Sequence, residues 1–206
     1  MPFIGNKPSA VPLTSADIAD GIITSAKIVD GTIVNADINA SAAIVSTKLS
    51  GTGKVLQVVS ATKTDTASSS SSTFADITGL SVSITPSSAS NKILVIAYIS
   101  VSHDYLVAKI GARIMRDSTA LAIGDTAGSR IRTSGFYYID SQNYSPGVIS
   151  INYLDSPSST SALTYKWQFS SLDNAGTVYV NRADTDTDGS NFGRSASGIT
   201  VMEIAG

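Results

Sequence analysis

Residues 15–44 read SADIADGIIT SAKIVDGTIV NADINASAAI, which is one ten-residue unit written three times with edits. The first column holds Ser15, Ser25 and Asn35, the second Ala16, Ala26 and Ala36, and the fourth Ile18, Ile28 and Ile38. Asp20-Gly21 and Asp30-Gly31 fill the sixth and seventh columns, and Ala40-Ser41 replaces them in the third copy. A fourth copy, STKL at 46–49, aligns only after an insertion, and the pattern ends at Gly51 and Gly53, which read as a hinge. Asp-Gly is turn chemistry because glycine takes positive φ without steric cost, and isoleucine favours strands. Each unit therefore predicts a short strand, a turn and a short strand. Ten residues bury no core alone, and the few large aliphatics of 13–53 do not offset the entropy of ordering that segment. The repeat needs partners, and identical chains are the simplest source.

A five-residue spacing competes with the ten. Ile18, Ile23, Ile28, Ile33 and Ile38 recur every fifth residue, with Ala16, Gly21, Ala26, Gly31 and Ala36 two positions ahead. That resembles the A-(D/N)-L-x-x pentapeptide-repeat family, whose single chain coils as a square β-helix. At about four units per turn this stretch would make fewer than two turns, and repeat solenoids need several stacked units.

From Val55 onward the period changes to two. Leu80, Val82 and Ile84 alternate with Ser81, Ser83 and Thr85, and Leu163, Tyr165, Trp167 and Phe169 alternate with polar residues, the pattern of half-buried strands. KILVIAYISVS (92–102) is apolar nearly throughout and predicts a central strand. Further strands are expected in YLVAKIGARIM, RIRTSGFYYID, GVISINYLD, TVYVNR and GITVMEI, separated by loop-forming TPSSASN, DSPSSTSA, LDNAG and DTDTDGSN. ASSSSST (67–73) reads as an exposed loop. The expected fold is all-β, with an antiparallel, jelly-roll-like β-sandwich at 54–206.

Composition narrows the function. A net charge of -2 gives no electrostatic reason to bind nucleic acid or an anionic membrane. The 206 residues include no cysteine, which excludes disulfides and thiolate chemistry. MPFIGNKPSAVPL lacks the apolar core of a signal peptide, and no stretch has the length of a membrane span.

The sequence also resembles bacteriophage fibre and appendage proteins, especially those of marine phages. The likeness lies in the MPFIGNKP opening, the ADIxDGTI-type repeats, and SITPSSASNKILVIAYISVS together with the terminal GITVMEIAG. The resemblance implies a homotrimer: an anchoring peptide at 1–12 docked on other virion proteins, a repeat shaft at 13–53 with Ile18, Ile23, Ile28, Ile33 and Ile38 in its core, and a distal β domain. It implies a non-enzymatic virion protein made in the host cytoplasm. The resemblance leaves tail and head locations open, so a capsid-decorating or cementing trimer stands as the alternative. A calcium-supported carbohydrate-binding adhesin and a polysaccharide hydrolase stand further off.

Candidate chemistry is sparse. Asp184, Asp186 and Asp188 with Gly189 form a D-x-D-x-D-G start that could hold Ca²⁺, although Ser195 stands where an EF-hand has glutamate; no other cofactor is expected. Tyr137, Tyr138 and Tyr144, within an aromatic zone with Phe136 and Tyr153, are candidates for contact with a bacterial surface glycan or protein. His103 is the chain's single histidine, so a Ser-His-Asp system would need it, yet no nucleophile-elbow pattern is present. Asp140 and Asp155 end predicted strands and would be the pair for glycoside cleavage. Arg113, Arg116, Arg130 and Arg132 read as solvated or paired. Gly51-Thr52-Gly53-Lys54 lacks Walker spacing.

Overall fold

The period-two segments form eleven strands: β1 (Val55–Lys63), β2 (Ala67–Ser69), β3 (Ala75–Ile84), β4 (Lys92–His103), β5 (Ala108–Arg116), β6 (Thr119–Leu121), β7 (Gly135–Ile139), β8 (Gly147–Asp155), β9 (Leu163–Ser171), β10 (Val178–Val180) and β11 (Ser197–Ile204). They belong to a computed structural model that describes residues 18–29, 31–39, 42, 54–105, 107–139, 146–173 and 176–206. The chain divides into two units, Met1–Ser50 and Gly51–Gly206.

In the larger unit every named pairing is antiparallel. One sheet has six strands, running β1-β11-β4-β10-β2 with β8 also on β4, and the other has five, running β3-β9-β5-β6 with β7 also on β5. Setting aside the short β2, β6 and β10 leaves neighbours β1-β11-β4-β8 and β3-β9-β5-β7. Counted consecutively along the chain, those orders are 1-8-3-6 and 2-7-4-5, the wrapping of a double-sheet jelly roll. The all-β, antiparallel sandwich is therefore present, and β4 is central, bonded to β11 on one side and β8 on the other.

The alternation decides what is inside. Ile93, Val95, Ala97, Ile99 and Val101 of β4 face Leu80, Val82 and Ile84 of β3, Ile110, Ala112 and Ile114 of β5, and Leu163, Tyr165, Trp167 and Phe169 of β9 in one buried cluster. ASSSSST differs from its expected loop, because Ala67–Ser69 pairs with Val178–Val180 as β2. Edge pairing with β10 supplies the backbone bonds that composition alone would leave to water.

Polar groups inside the unit are tied off. On β11 the alternation turns Glu203 inward, where it is 1% exposed. Its carboxylate accepts bonds from Gln57 Nε2, Asn91 Nδ2, and Ser87 N and Oγ, at 2.5–2.7 Å. Burial alone would raise this carboxyl's pKa, but the bonds from Gln57, Asn91 and Ser87 together hold it below the usual glutamate range. A second node is Asn181, held at φ 63°. Its Nδ2 donates to the carbonyls of Lys63 and Asp65 at 2.8 and 2.9 Å, and its Oδ1 accepts from Ser197 Oγ at 2.6 Å. This node joins the end of β1 to β10 and β11.

The described repeat residues differ from the expected strand, turn, strand unit. The backbone reverses every five residues through i to i+3 bonds: Ile22 N to Ala19 O, Lys27 N to Thr24 O, Thr32 N to Val29 O, Asp37 N to Val34 O, and Ala42 N to Asn39 O, at 2.8–3.2 Å. Two kinds of turn alternate. Gly21 at φ +79° and Gly31 at φ +81° sit at the third position of their turns, as in type II geometry. Ser25–Lys27 and Asn35–Asp37 are short 3₁₀ turns, the second fastened by Val34 N donating to Asp37 Oδ2 at 2.9 Å. Turns this close leave too few residues between them for a ladder within the chain. The five-residue spacing is the geometric period, and the alternation of turn types makes it read as ten.

Ile23, Ile28, Ile33 and Ile38 each occupy the single residue between successive turns, Ile18 precedes the first described turn, and all five are 38–55% exposed in the lone chain. Residues 1–12, 13–17 and 43–53, where the anchor, the shaft start and the hinge were expected, lie outside the described residues.

Glu203→Gln is expected to lower the stability of the β unit by about 2 kcal/mol at neutral pH, because it turns an acceptor of four bonds into a partial donor. The unfolding midpoint in urea, followed by the fluorescence of Trp167, checks this. The folded pKa lies below the unfolded one, so the Glu203 contribution is present at neutral pH and is lost as pH falls through the folded value. The variant's deficit should therefore shrink in acid.

Candidate functional site

The fold brings Ser171 to the lone histidine, a neighbour the sequence did not reveal. His103 ends β4 and Ser171 ends β9, so they come from opposite sheets. His103 Nε2 lies 3.0 Å from Ser171 Oγ, and Asp104 Oδ1 is 3.5 Å from Nδ1. The three residue types are those of an acyl-transfer triad, but the bonds run the wrong way. The backbone N–H of Tyr105 donates to Nδ1 at 2.9 Å. In the neutral ring this places the proton on Nε2, which then donates to Ser171 and cannot take its proton. Asp104 is occupied by Thr177 N at 2.6 Å and Tyr179 Oη at 3.0 Å. Ser171 is fully buried and His103 is 3% exposed, so no substrate reaches them. The group locks the two sheets together. Burial lowers the His103 pKa, against the smaller opposing influence of Asp104 and Asp173.

Asp155, proposed from sequence as half of a glycosidase pair, is also spent. Arg116 Nη1 lies 2.7 Å from both of its oxygens, and Tyr165 Oη donates at 2.6 Å. Burial and the Asp155 carboxylate push the Tyr165 phenol far up, so it stays a donor. Asp140, the other half of the pair, lies outside the described residues.

The acidic loop does not gather its carboxylates. Asp186 faces Arg194 Nη2 at 2.6 and 2.7 Å and Arg182 Nη1 at 3.4 Å. Arg182 stacks on the Tyr179 ring at 3.7 Å. Asp188 lines a cleft of about 350 Å³ with Phe192 and Arg194, while Asp184 Oδ1 is buried without a partner among the described residues. Among the described residues no three carboxylate or imidazole groups are clustered as metal ligands. At the expected Ca²⁺ residues Asp184, Asp186 and Asp188, Arg194, adjacent to the position where an EF-hand would place its acid, brings positive charge to Asp186.

Alternation splits the aromatic candidates. Tyr138 is exposed on β7, together with Phe136, which occupies the same face. Tyr137 turns the other way and packs, partly buried, against the core. Tyr144 lies outside the described residues. Of the arginines, Arg116 is paired with Asp155 as above, Arg113 stacks on Phe74 at 3.7 Å, and Arg132 Nε donates to Gly124 O. They do not form a basic stripe. No described helix is long and apolar enough to cross a membrane.

What sequence reading missed is the outer face of the six-stranded sheet. Val58, Met202, Leu94 and Leu154 align as one cross-strand row, and Ser60, Thr200, Ile96 and Asn152 as the next. Tyr98 lies across Gly198, whose missing side chain gives the ring its place. Val58, Ile96, Tyr98, Val148 and Leu154 are 40–62% exposed. The signal was the unbroken apolar run of β4, which marks a strand covered on both faces.

No family model matches the chain, and no curated protein matches it. Similar solved structures include infectious bursal disease virus Gx strain, at TM-score 0.37 and 15% identity over 75% of this chain and 33% of that one. Another is the infectious bursal disease virus VP2 subviral particle, at TM-score 0.38 and 13% identity over 72% of this chain and 41% of that one. A third is the Eiger TNF of S. frugiperda, at TM-score 0.29 and 8% identity over 72% of this chain and 93% of that one. The chain spans about a third to two-fifths of the viral chains. At these scores the likeness carries no argument about function.

His103→Gln is expected to flatten the pH dependence of stability. The folded pKa is below the unfolded one, so the contribution of the neutral ring is whole above about pH 6.5 and declines as pH falls through that value. Unfolding midpoints between pH 8 and pH 5 should fall in the parent protein and stay nearly level in the variant, once the common acid trend is subtracted. Asp155→Asn should cost about 3 kcal/mol, because it leaves Arg116 half-buried and unpaired; thermal unfolding of the two proteins measures it.

Proposed function

We propose that this chain is a non-enzymatic structural protein of a virion, a homotrimeric fibre or appendage of a bacteriophage. The observation that carries the proposal is the column formed by Ile18, Ile23, Ile28, Ile33 and Ile38. All five stand at one place in a regular turn repeat, and all five are exposed in the lone chain. A regular row of uncovered isoleucines, in a segment whose described residues bury nothing, is covered most simply by the same row on sister chains. The trimeric number and the phage setting rest on the resemblance of the repeat and the flanking motifs to phage fibres.

Residues 1–12 attach the chain to other virion proteins, the repeat joins the copies, and the jelly roll is displayed. Double-sheet jelly rolls serve both in viral shells and in lectins, which suits a displayed domain. Phe136 and Tyr138 offer a flat apolar face with a polar tip to a bacterial surface glycan or protein. The polar groups that might have supported hydrolysis are instead engaged in holding the two sheets together.

Sedimentation or light scattering of the purified chain should give the mass of three copies; a monomer would remove this reading. Deleting residues 1–12 should abolish attachment to particles while leaving that mass unchanged. Imaging of particles carrying a tagged chain then separates a fibre on the tail from a decoration of the head.

A further inference from the structure

We infer that the outer face of the β1-β11-β4-β8 sheet is the surface on which three copies of the β unit meet, packed around a common axis. This rests on the trimeric reading above and adds to it the place of contact in the jelly roll.

The chemistry of the two outer faces differs. On β7, β5, β9 and β3 the outward residues include Lys109, Arg113, Lys166 and Asp76, with Lys109 joined to Asp173 and Lys166 joined to Asp76. That surface is solvated in the ordinary way. On β1, β11, β4 and β8 the outward positions are Val58, Ser60, Thr62, Thr200, Met202, Leu94, Ile96, Tyr98, Val148, Ser150, Asn152 and Leu154, set by the pairing register. Among the outward positions of these strands the one charge is Lys92 at the rim, and the Asp104 and Arg182 charges around Tyr179 of β10 border the face beyond Tyr98. A face without charge is complementary to a copy of itself, because no like charges are brought together and no ion is stripped of water. Its Ser, Thr and Asn side chains can bond across the contact. An unrelated partner would need no such neutrality.

The dimensions fit three copies. Four strands at about 4.8 Å and six residue steps at about 3.4 Å make a face about 20 Å on a side, or about 400 Å². Three such faces closed into a prism stand about 6 Å from the axis, close to half the roughly 10 Å at which packed sheets interdigitate. The patch falls within the size range in which exposed apolar surface is often functional. At about 400 Å² it is smaller than the roughly 800 Å² per partner of a stable interface. The face therefore adds to the association of the repeat and does not replace it.

The natural absence of cysteine makes the test direct. Single-cysteine variants Ile96→Cys and Asn152→Cys report on this face, and Ser81→Cys, exposed on β3, reports on the other. Asn152→Cys removes no apolar contact, so it keeps the test informative where Ile96→Cys disturbs folding. Full-length protein of trimeric mass is reacted with a maleimide, and trimeric mass and Trp167 fluorescence are checked for each variant. Cysteines at 96 and 152 are expected to react at least about tenfold more slowly than the one at 81, as residues in a water-excluding contact do, and all three at equal rates in denaturant. Equal rates in the native trimer would overturn this placement and leave the trimer standing. A monomeric mass for the parent chain would overturn both.

Discussion

The jelly roll depends on β4. Twelve residues long, it is bonded along its length to β11 on one side and to β8 on the other, and its inward residues Ile93, Val95, Ala97, Ile99 and Val101 fill the middle of the core. No other strand supplies so many fully buried aliphatic side chains. Across the sandwich the four inward side chains of β9 meet them, with Trp167 and Tyr165 the largest residues fully buried. Removing water from these two opposed rows is the dominant favourable contribution to the fold, and the register of every neighbouring strand is fixed by it.

The polar residues buried in this frame are satisfied at its margins. Glu203, Asp155, His103 and Asn181 each sit at or near a strand end, where loops deliver backbone donors and short side chains. Each makes at least two hydrogen bonds, so the desolvation of the polar atoms is offset and the geometry of the loops is specified. The same economy explains why residues with the chemistry of catalysis do none. A histidine whose proton is fixed on the nitrogen facing serine, and an aspartate closed by arginine and tyrosine, are fasteners between layers.

The N-terminal repeat follows a different physics. Its backbone turns every five residues through local i to i+3 bonds, which leaves no room for a ladder and leaves its isoleucines exposed in the lone chain. The β unit has the opposite arrangement: a complete core, and one outer face that remains apolar. Association of copies would cover both at once, and the weak contact of each alone would be multiplied by the other.

Alternation by itself determined the strands and their inward residues. Leu80, Val82 and Ile84, and Leu163, Tyr165, Trp167 and Phe169, were legible because a two-residue period has only two faces to choose between. The isoleucine column and the Asp-Gly turns were legible too, since glycine at positive φ is a local requirement. The kind of element in the repeat was not, because turns of equal length can close as 3₁₀ or type II and the choice depends on capping bonds such as Val34 to Asp37. Only the tertiary structure decided which sites are sites. The meeting of His103 with Ser171, the capture of Asp155 by Arg116, the pairing of Asp186 with Arg194 and the inward turn of Tyr137 all depend on strands distant in sequence or on one-residue parity. No local pattern encodes which strand will lie opposite another, because that is set by burial of the whole apolar surface at once.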